Sequence, residues 1–374
     1  MNSVRPGRVH IYVKDFLPSR DGSGTNSRIY SNVRAYLDLG FEVELIYIQT
    51  KPNASFVPEP SLPNVQWTHL QVYDAQTARP NLPGSRIAYW LGWPLNKALD
   101  YGFKVRELVR KEVHRREAAF PGSLHHFEYL ATACAAIHMP GLNCIWSHHD
   151  IESMFTSDHR AIRYELEGRP VRRQERRALS YLRKAERLTA RGCRLVLCIA
   201  KHECEIMRRE WRCENAEFFP MSWPIEEPPA RKRDWLDGGK LRLFHLGRID
   251  SLPSFRSLQF LLGSVFPLLG DDLLKRIELL VVGEIRDSQR ARTILELGRR
   301  YPQVHFAGFQ KEIRSLYADA DLQVVASTEA TGLRTRIVES FAYGVPVIST
   351  TVGAAGLEGL RAGQNIIIAD DPET

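Results

Sequence analysis

Cysteine is sparse in this chain of 374 residues, and the six present are not spaced for chemistry. Cys134, Cys144, Cys193, Cys198, Cys204 and Cys213 form no CxxC pair, which argues against a zinc ribbon or a thiol redox motif. They are expected to be buried free thiols in a reducing compartment. Long apolar runs are also missing, since none approaches the roughly 20 residues that span a bilayer. A secretory leader is not expected, because the first apolar stretch, residues 9–13, is short and lacks a cleavage site. The glycine pair Gly22-Ser23-Gly24 has no third glycine and no tight strand–helix junction, so it is not a dinucleotide fingerprint. No aromatic stacking motif or recognition-helix pattern accompanies the positive charge, and nucleic acid is not an expected partner.

What remains is a globular composition, 44% hydrophobic and 25% charged, long enough for two or three domains. The net charge is +7 and the isoelectric point about 9.1. Much of that charge falls in residues 104–116 and 169–191. A solvated helix face and a surface that attracts anionic lipid or polymer are both compatible with it. The expected location is cytoplasmic, with peripheral contact at the inner face of an anionic membrane as an option.

Apolar strands alternate with amphipathic helices along the whole chain. Residues 9–13 read as a buried strand, 26–39 as a helix stopped by Gly40, and 41–48 as a second strand. This βαβ order predicts a parallel sheet. Further strands are expected at 124–129, 143–147 and 195–200, with helices at 104–119, 130–138, 163–190 and 201–210. Aromatic residues 84–103 suit core packing or an acceptor-binding surface. A proline-rich stretch, 218–229, is the best linker. A second series follows, with strands at 241–246, 277–282, 304–306 and 322–326. The expected fold class is therefore α/β. Two Rossmann-like parallel-sheet domains, 1–222 and 223–374, would face a central cleft, where open α/β sheets bind ligands.

The most informative run is Ser327 to Thr350, a strand end, a polar glycine-bearing loop, a helix and a buried strand. Such a loop turns backbone N–H groups and the positive end of a helix dipole toward an anion. Arg334 and Arg336 add charge there, and Glu339 lies further along the helix, where it can accept hydrogen bonds from sugar hydroxyls. A nucleoside diphosphate suits that combination.

These residues resemble the retaining glycosyltransferases of the GT-B fold, in particular family four (GT4). Phe244-His245-Leu246-Gly247-Arg248-Ile249-Asp250 resembles the opening strand and loop of that family's donor domain. Leu280-Val281-Val282-Gly283 resembles its second strand. Phe306-Ala307-Gly308-Phe309 resembles the turn beside the nucleotide base. Residues 332–346 resemble its donor signature. In the first half, Gly22 and Gly24 resemble the glycine loop facing the sugar diphosphate. Trp146-Ser147-His148-His149-Asp150 resembles the strand that ends in the active-site histidine.

The resemblance implies transfer of a sugar from a UDP- or GDP-sugar, with retention of configuration, to a glycan, lipid-linked or protein acceptor. His149, Arg248 and Arg336 are the implied catalytic residues, with His148 a rival to His149. Gly22, Gly24, Arg248, Phe309, Thr331, Gly332, Leu333, Arg334, Arg336 and Glu339 are the implied donor contacts. Arginine charge on the diphosphate makes a metal unnecessary, so no cofactor is expected. The chain departs from the family pattern in three places. Thr331 stands where the first of two signature glutamates falls, with Glu329 two residues away. Ser251-Leu252-Pro253-Ser254-Phe255-Arg256 carries no lysine. The donor domain stops at Thr374, soon after residues 365–369, where the family continues into further helices, and a shortened chain and a minimal end both stay open. An epimerase-like enzyme and a non-catalytic binding protein of the same architecture stay open as alternatives.

Overall fold

A computed structural model describes residues 7–20, 22–52, 55–72, 97–154, 156, 173–224, 227–232, 234–328 and 332–373. The chain divides into two compact units, Met1–Pro224 and Ile225–Thr374.

The first unit runs β1 (Arg8–Lys14), α1 (Gly24–Asp38), β2 (Glu42–Gln49), β3 (Val65–Gln71), α2 (Lys97–Ala119), β4 (Leu124–Glu128), α3 (Tyr129–Ala133), β5 (Asn143–His148), α4 (Arg173–Gly192), β6 (Leu195–Cys198), α5 (Lys201–Trp211) and β7 (Ala216–Phe218). Its strands lie side by side in the order β3-β2-β1-β4-β5-β6-β7, and every pair is parallel. The period of two along β1 sorts side chains to the two faces. Val9, Ile11 and Val13 pack with Ile29 and Val33 of α1. Tyr12 joins Val105, Val109 and Val113 of α2, which recur every fourth residue on one helix face, with Phe127 and Trp146.

The second unit runs β8 (Leu241–Leu246), α6 (Leu252–Phe260), β9 (Ile277–Val282), α7 (Gln289–Gly298), β10 (Val304–Gly308), α8 (Arg314–Asp319), β11 (Leu322–Val325), α9 (Thr335–Ala342), β12 (Val347–Ser349), α10 (Thr351–Ala354) and β13 (Ile367–Ile368). Its sheet order is β10-β9-β8-β11-β12-β13, again parallel throughout. Leu243, Leu279, Val281 and Val324 meet Phe255, Leu258 and Leu262 in its main core.

Three strands differ from the sequence expectation. β3, β7 and β13 were not expected, and each lies at the edge of its sheet. An edge strand buries little, so the apolar signal is weak; β3 has one buried residue, Val65.

The basic face of α2 also differs. Arg115 pairs with Glu112 and Arg110 with Glu107 at 3.0 Å each, so acids balance the row. Arg116 is not on the surface at all. It is 2% exposed and grips Glu44 through Nη2 at 2.6 Å and Nε at 3.0 Å. Burial alone would raise the Glu44 carboxyl, but hydrogen bonds from His10, Arg116 and Thr68 hold it far below the carboxylate range. Removing one partner from such a buried pair costs about 3–5 kcal/mol.

The expected aromatic stretch 84–96 and the start of the expected helix at 163–172 lie outside the described residues. All six cysteines are free, and all but Cys134 are fully buried. Among the described residues no helix is long and apolar enough to cross a membrane.

Candidate functional site

In both sheets the strand order reverses at the first strand, between β1 and β4 and between β8 and β11. The carboxyl ends of strands at such a point are where doubly wound sheets bind ligands. The expected site residues that the structure describes follow the carboxyl ends of strands: Gly22 and Gly24 follow β1, His149 follows β5, Arg248 follows β8, Phe309 follows β10, and residues 332–339 follow β11.

In the first unit, β4 ends in Glu128 and β5 ends in His148, with His149 next. Glu128 is 0% exposed. Its Oε1 accepts from Asn32 Nδ2 of α1 at 2.7 Å and from His126 Nε2 at 3.1 Å. Its Oε2 accepts from His149 Nε2 at 2.7 Å. Burial would raise this carboxyl, but the hydrogen bonds from His126 and His149 hold it well below the ordinary value. The register that places β5 beside β4, with Glu128 opposite Ser147, brings the pair together.

His149 also stacks on the Tyr129 ring, with centroids 4.0 Å apart and planes 15° apart. Tyr129 adopts φ +65°, a left-handed conformation rare for a bulky side chain. Its hydroxyl donates to Thr25 Oγ1 in the first turn of α1. His148 points elsewhere: it is fully buried against Trp146, neither ring nitrogen makes a hydrogen bond among the described residues, the Glu203 carboxyl stands 3.6 Å from Nδ1, and burial pushes its pKa down to about 3. It is a neutral core histidine, and His149, the residue after the strand, is the one that meets Glu128.

The segment that carries His149 is tied from behind. Ile151 N donates to Glu203 of α5 at 3.3 Å and Ser153 N to Glu186 of α4 at 3.1 Å. Burial pushes Glu203 up to about 8 and Glu186 up to about 7. Gly22 and Gly24 flank the N-cap of α1, Ser23. A Cβ on Gly22 would stand 2.5 Å from Asn26 Cβ, so the glycine lets Asn26 fold back and donate to Leu17 O at 2.6 Å.

In the second unit, the site residues follow β8 and β11. Arg334 is the N-cap residue of α9 and is 8% exposed, its Nε donating to Ser327 Oγ at 3.0 Å. The Arg336 guanidinium lies over the backbone at the end of β8. A Cβ on Gly247 would come within 3.2 Å of its Nη1, 3.3 Å of its Nη2 and 2.5 Å of Ser254 Oγ. Burial and the neighbouring charge of Arg334 bring the Arg336 pKa down to about 10. The same guanidinium adds to the burial that holds His245 neutral, at about 3.

Glu339 sits one turn further, beside Tyr317, and is 5% exposed. Burial pushes its carboxyl up to about 8 against the pull of Arg336 and Tyr317. Its Oε1 makes no hydrogen bond among the described residues. Gly332 takes φ +66°, which turns the chain into α9 without the strain a side chain would add. Leu333 is buried, and Phe309 is 73% exposed beyond β10. Arg248, on the loop after β8, pairs with Asp250 through Nε at 3.0 Å and is about half exposed. Thr331 and Glu329 lie outside the described residues. No cluster of metal ligands occurs among the described residues.

Sequence reasoning missed Glu128, Asn32 and Tyr129. A glutamate closing a buried strand was the available signal, since a buried glutamate needs partners.

Residues 240–374 match the family model described as glycosyl transferases group 1. No curated protein matches the chain. Among solved structures, Anabaena HepE in complex with UDP-glucose is similar at a TM-score of 0.62 and 14% identity, over 97% of this chain and 85% of that one. The Escherichia coli trehalose-6-phosphate protein bound with UDP-2-fluoro glucose is similar at 0.59 and 11% identity, over 94% and 85%. A Rickettsia africae glycosyltransferase is similar at 0.56 and 13% identity, over 94% and 81%. The chain thus has the two-domain, Rossmann-like GT-B fold.

Proposed function

We propose that this protein transfers a sugar from a UDP- or GDP-sugar to a glycan, lipid-linked or protein acceptor, with retention of configuration. The second unit holds the donor. The observation that carries the reading is the start of α9, where burial and the charge of Arg334 stress Arg336 while Glu339 stands one turn on. A diphosphate relieves that like-charge stress, and it accepts from both guanidinium forks. Ribose hydroxyls then donate to Glu339.

Breaking the sugar–phosphate bond leaves negative charge on the diphosphate, and stabilising it in place is the main catalytic task. Arg336 serves this, with the first turn of α9 and Ser254 beside it, and Arg248, whose Nε holds Asp250, adds its remaining N–H donors. The leaving phosphate takes the acceptor proton, as retention without an enzyme nucleophile requires. His149 serves the transferred sugar or the acceptor, and no metal or cofactor takes part. The family match over residues 240–374 and the nucleotide-sugar complexes of HepE support the donor class.

Incubation with a panel of UDP- and GDP-sugars and acceptors tests the reading. Nucleotide release with glycosylated product is the expected result, and isomerised donor or binding without turnover would replace it with an epimerase or a binding protein. Glu339→Ala is expected to weaken nucleotide binding by roughly 10- to 100-fold, the loss of one or two charge-assisted hydrogen bonds. Unchanged affinity would remove Glu339 from the site.

A further inference from the structure

His149 can meet a ligand in two opposite ways, with a lone pair or with a proton, and its surroundings decide which. An ionised carboxylate only accepts hydrogen bonds. Glu128 is held ionised, so each ring nitrogen that touches it carries hydrogen. His149 Nε2 touches it at 2.7 Å and His126 Nε2 at 3.1 Å. The far side of His126 has a matching partner, because its Nδ1 lies 2.9 Å from the Tyr36 hydroxyl, which is able to donate to it. Asn32 adds a third donor at 2.7 Å and also reaches Ser147 Oγ at 3.2 Å, which fixes the carboxylate in place.

In neutral His149 the hydrogen is therefore on Nε2, and Nδ1 is left with a lone pair. Nδ1 makes no hydrogen bond among the described residues. The Tyr129 ring, 4.0 Å away, blocks one face of the imidazole, so the ring cannot tilt to offer its edge differently. Tyr129 is itself pinned by Thr25 and by a left-handed backbone. Strain kept in a bulky residue at a strand end indicates a surrounding that over-determines it.

We propose that Glu128 is a positioning residue that locks His149 as its Nε2–H tautomer, so that Nδ1 accepts a hydrogen bond from a hydroxyl of the sugar or acceptor. The ligand class this selects is a hydroxyl donor, and a ligand offering only acceptors at that point is refused. The role of the hydroxyl rests on the proposed transferase reading; the tautomer does not.

Two measurements on the full chain separate these. Long-range proton–nitrogen NMR of histidine labelled with nitrogen-15, with the signal assigned by its loss in His149→Asn, reads the tautomer without any substrate. The expected result is hydrogen on Nε2; hydrogen on Nδ1 overturns the proposal whatever the activity. In Glu128→Gln the amide can donate as well as accept, and the His149 signal is expected to shift toward Nδ1–H. Turnover should then fall roughly 10- to 100-fold, the usual cost of losing an orienting partner, with nucleotide affinity unchanged. Glu128→Asp should recover part of it. A folded Glu128→Gln that keeps both tautomer and turnover overturns the proposal, and absence of transfer by the wild type with hydrogen on Nε2 overturns the transferase reading alone.

Discussion

At the end of β4 the buried carboxylate of Glu128 takes hydrogen bonds from three residues, whereas one turn into α9 the buried carboxylate of Glu339 has an oxygen that takes none. Burial acts on both in the same direction. Partners reverse it at Glu128 and fail to do so at Glu339, which stays at about 8. In the first cluster the carboxylate is satisfied without ligand, so it holds His149 as a rigid template. The second is electrostatically unfinished: Arg336, crowded by Arg334, and a protonated acid are each improved by a ligand with negative charge and hydroxyl donors. Binding energy is thus expected to come from the second unit, and geometric selection from the first.

Breaking the second cluster should have the largest effect. Arg336→Ala is expected to lower transfer by roughly 100- to 1,000-fold, as for loss of one donor that stabilises developing charge. Steady-state kinetics with the best donor would show it, and a loss under 3-fold would move the diphosphate elsewhere.

Breaking the first should act differently in kind. His149→Ala is expected to reduce kcat by about 100-fold while calorimetry shows nucleotide affinity within about 2-fold of wild type, because a group that serves the sugar or acceptor contributes little to holding the nucleotide. Equal losses in both measurements would erase the contrast.

The smallest effect sharpens the comparison through pH. Glu339 rises from 4.5 to about 8 on folding, so its contribution to stability is complete below the ordinary carboxylate value and is lost as pH rises through about 8. Glu186 and Glu203, at about 7 and about 8, add to the same window. The ligand-free melting temperature should fall between about pH 5 and pH 9, and Glu339→Gln should flatten part of that slope. Hydroxyl donors favour the ionised carboxylate, so nucleotide binding at pH 7 should release a fraction of a proton. Calorimetry in two buffers of different ionisation enthalpy measures it; proton uptake would contradict the assignment.

How much of this was legible depended on whether the information was local. The α9 loop announces itself through a contiguous run, with Gly332, Arg334, Arg336 and Glu339 within eight residues. The parallel α/β architecture follows from buried strands alternating with amphipathic helices, and the structure has both sheets. The edge strand β3 was not legible because only Val65 among its residues is buried, which leaves no alternating pattern. Glu128 was not legible because its partners come from positions 32, 126 and 149, brought together by strand register and by α1. The choice between His148 and His149 turned on the pleat, which sends the last residue of β5 inward. Arg116 was hidden for a similar reason: its acid partner, Glu44, is 72 positions away.

One glycine in the second unit has a bearing on heredity. A Cβ on Gly283, at the end of β9, would fall 2.0 Å from Gly247 O and 3.0 Å from Arg248 N. The obstacle is the main chain of Gly247 and Arg248, so no rotamer change makes room. Gly247 is the residue against which Arg336 rests. In a saturation library, codon 283 should therefore tolerate no amino-acid replacement, although β9 supplies none of the proposed ligand contacts. A genetic screen would then map it as an essential residue and tempt an assignment to substrate binding. The surer meaning is that two adjacent strands share one contact distance, and an inherited change in either is paid in the position of the other.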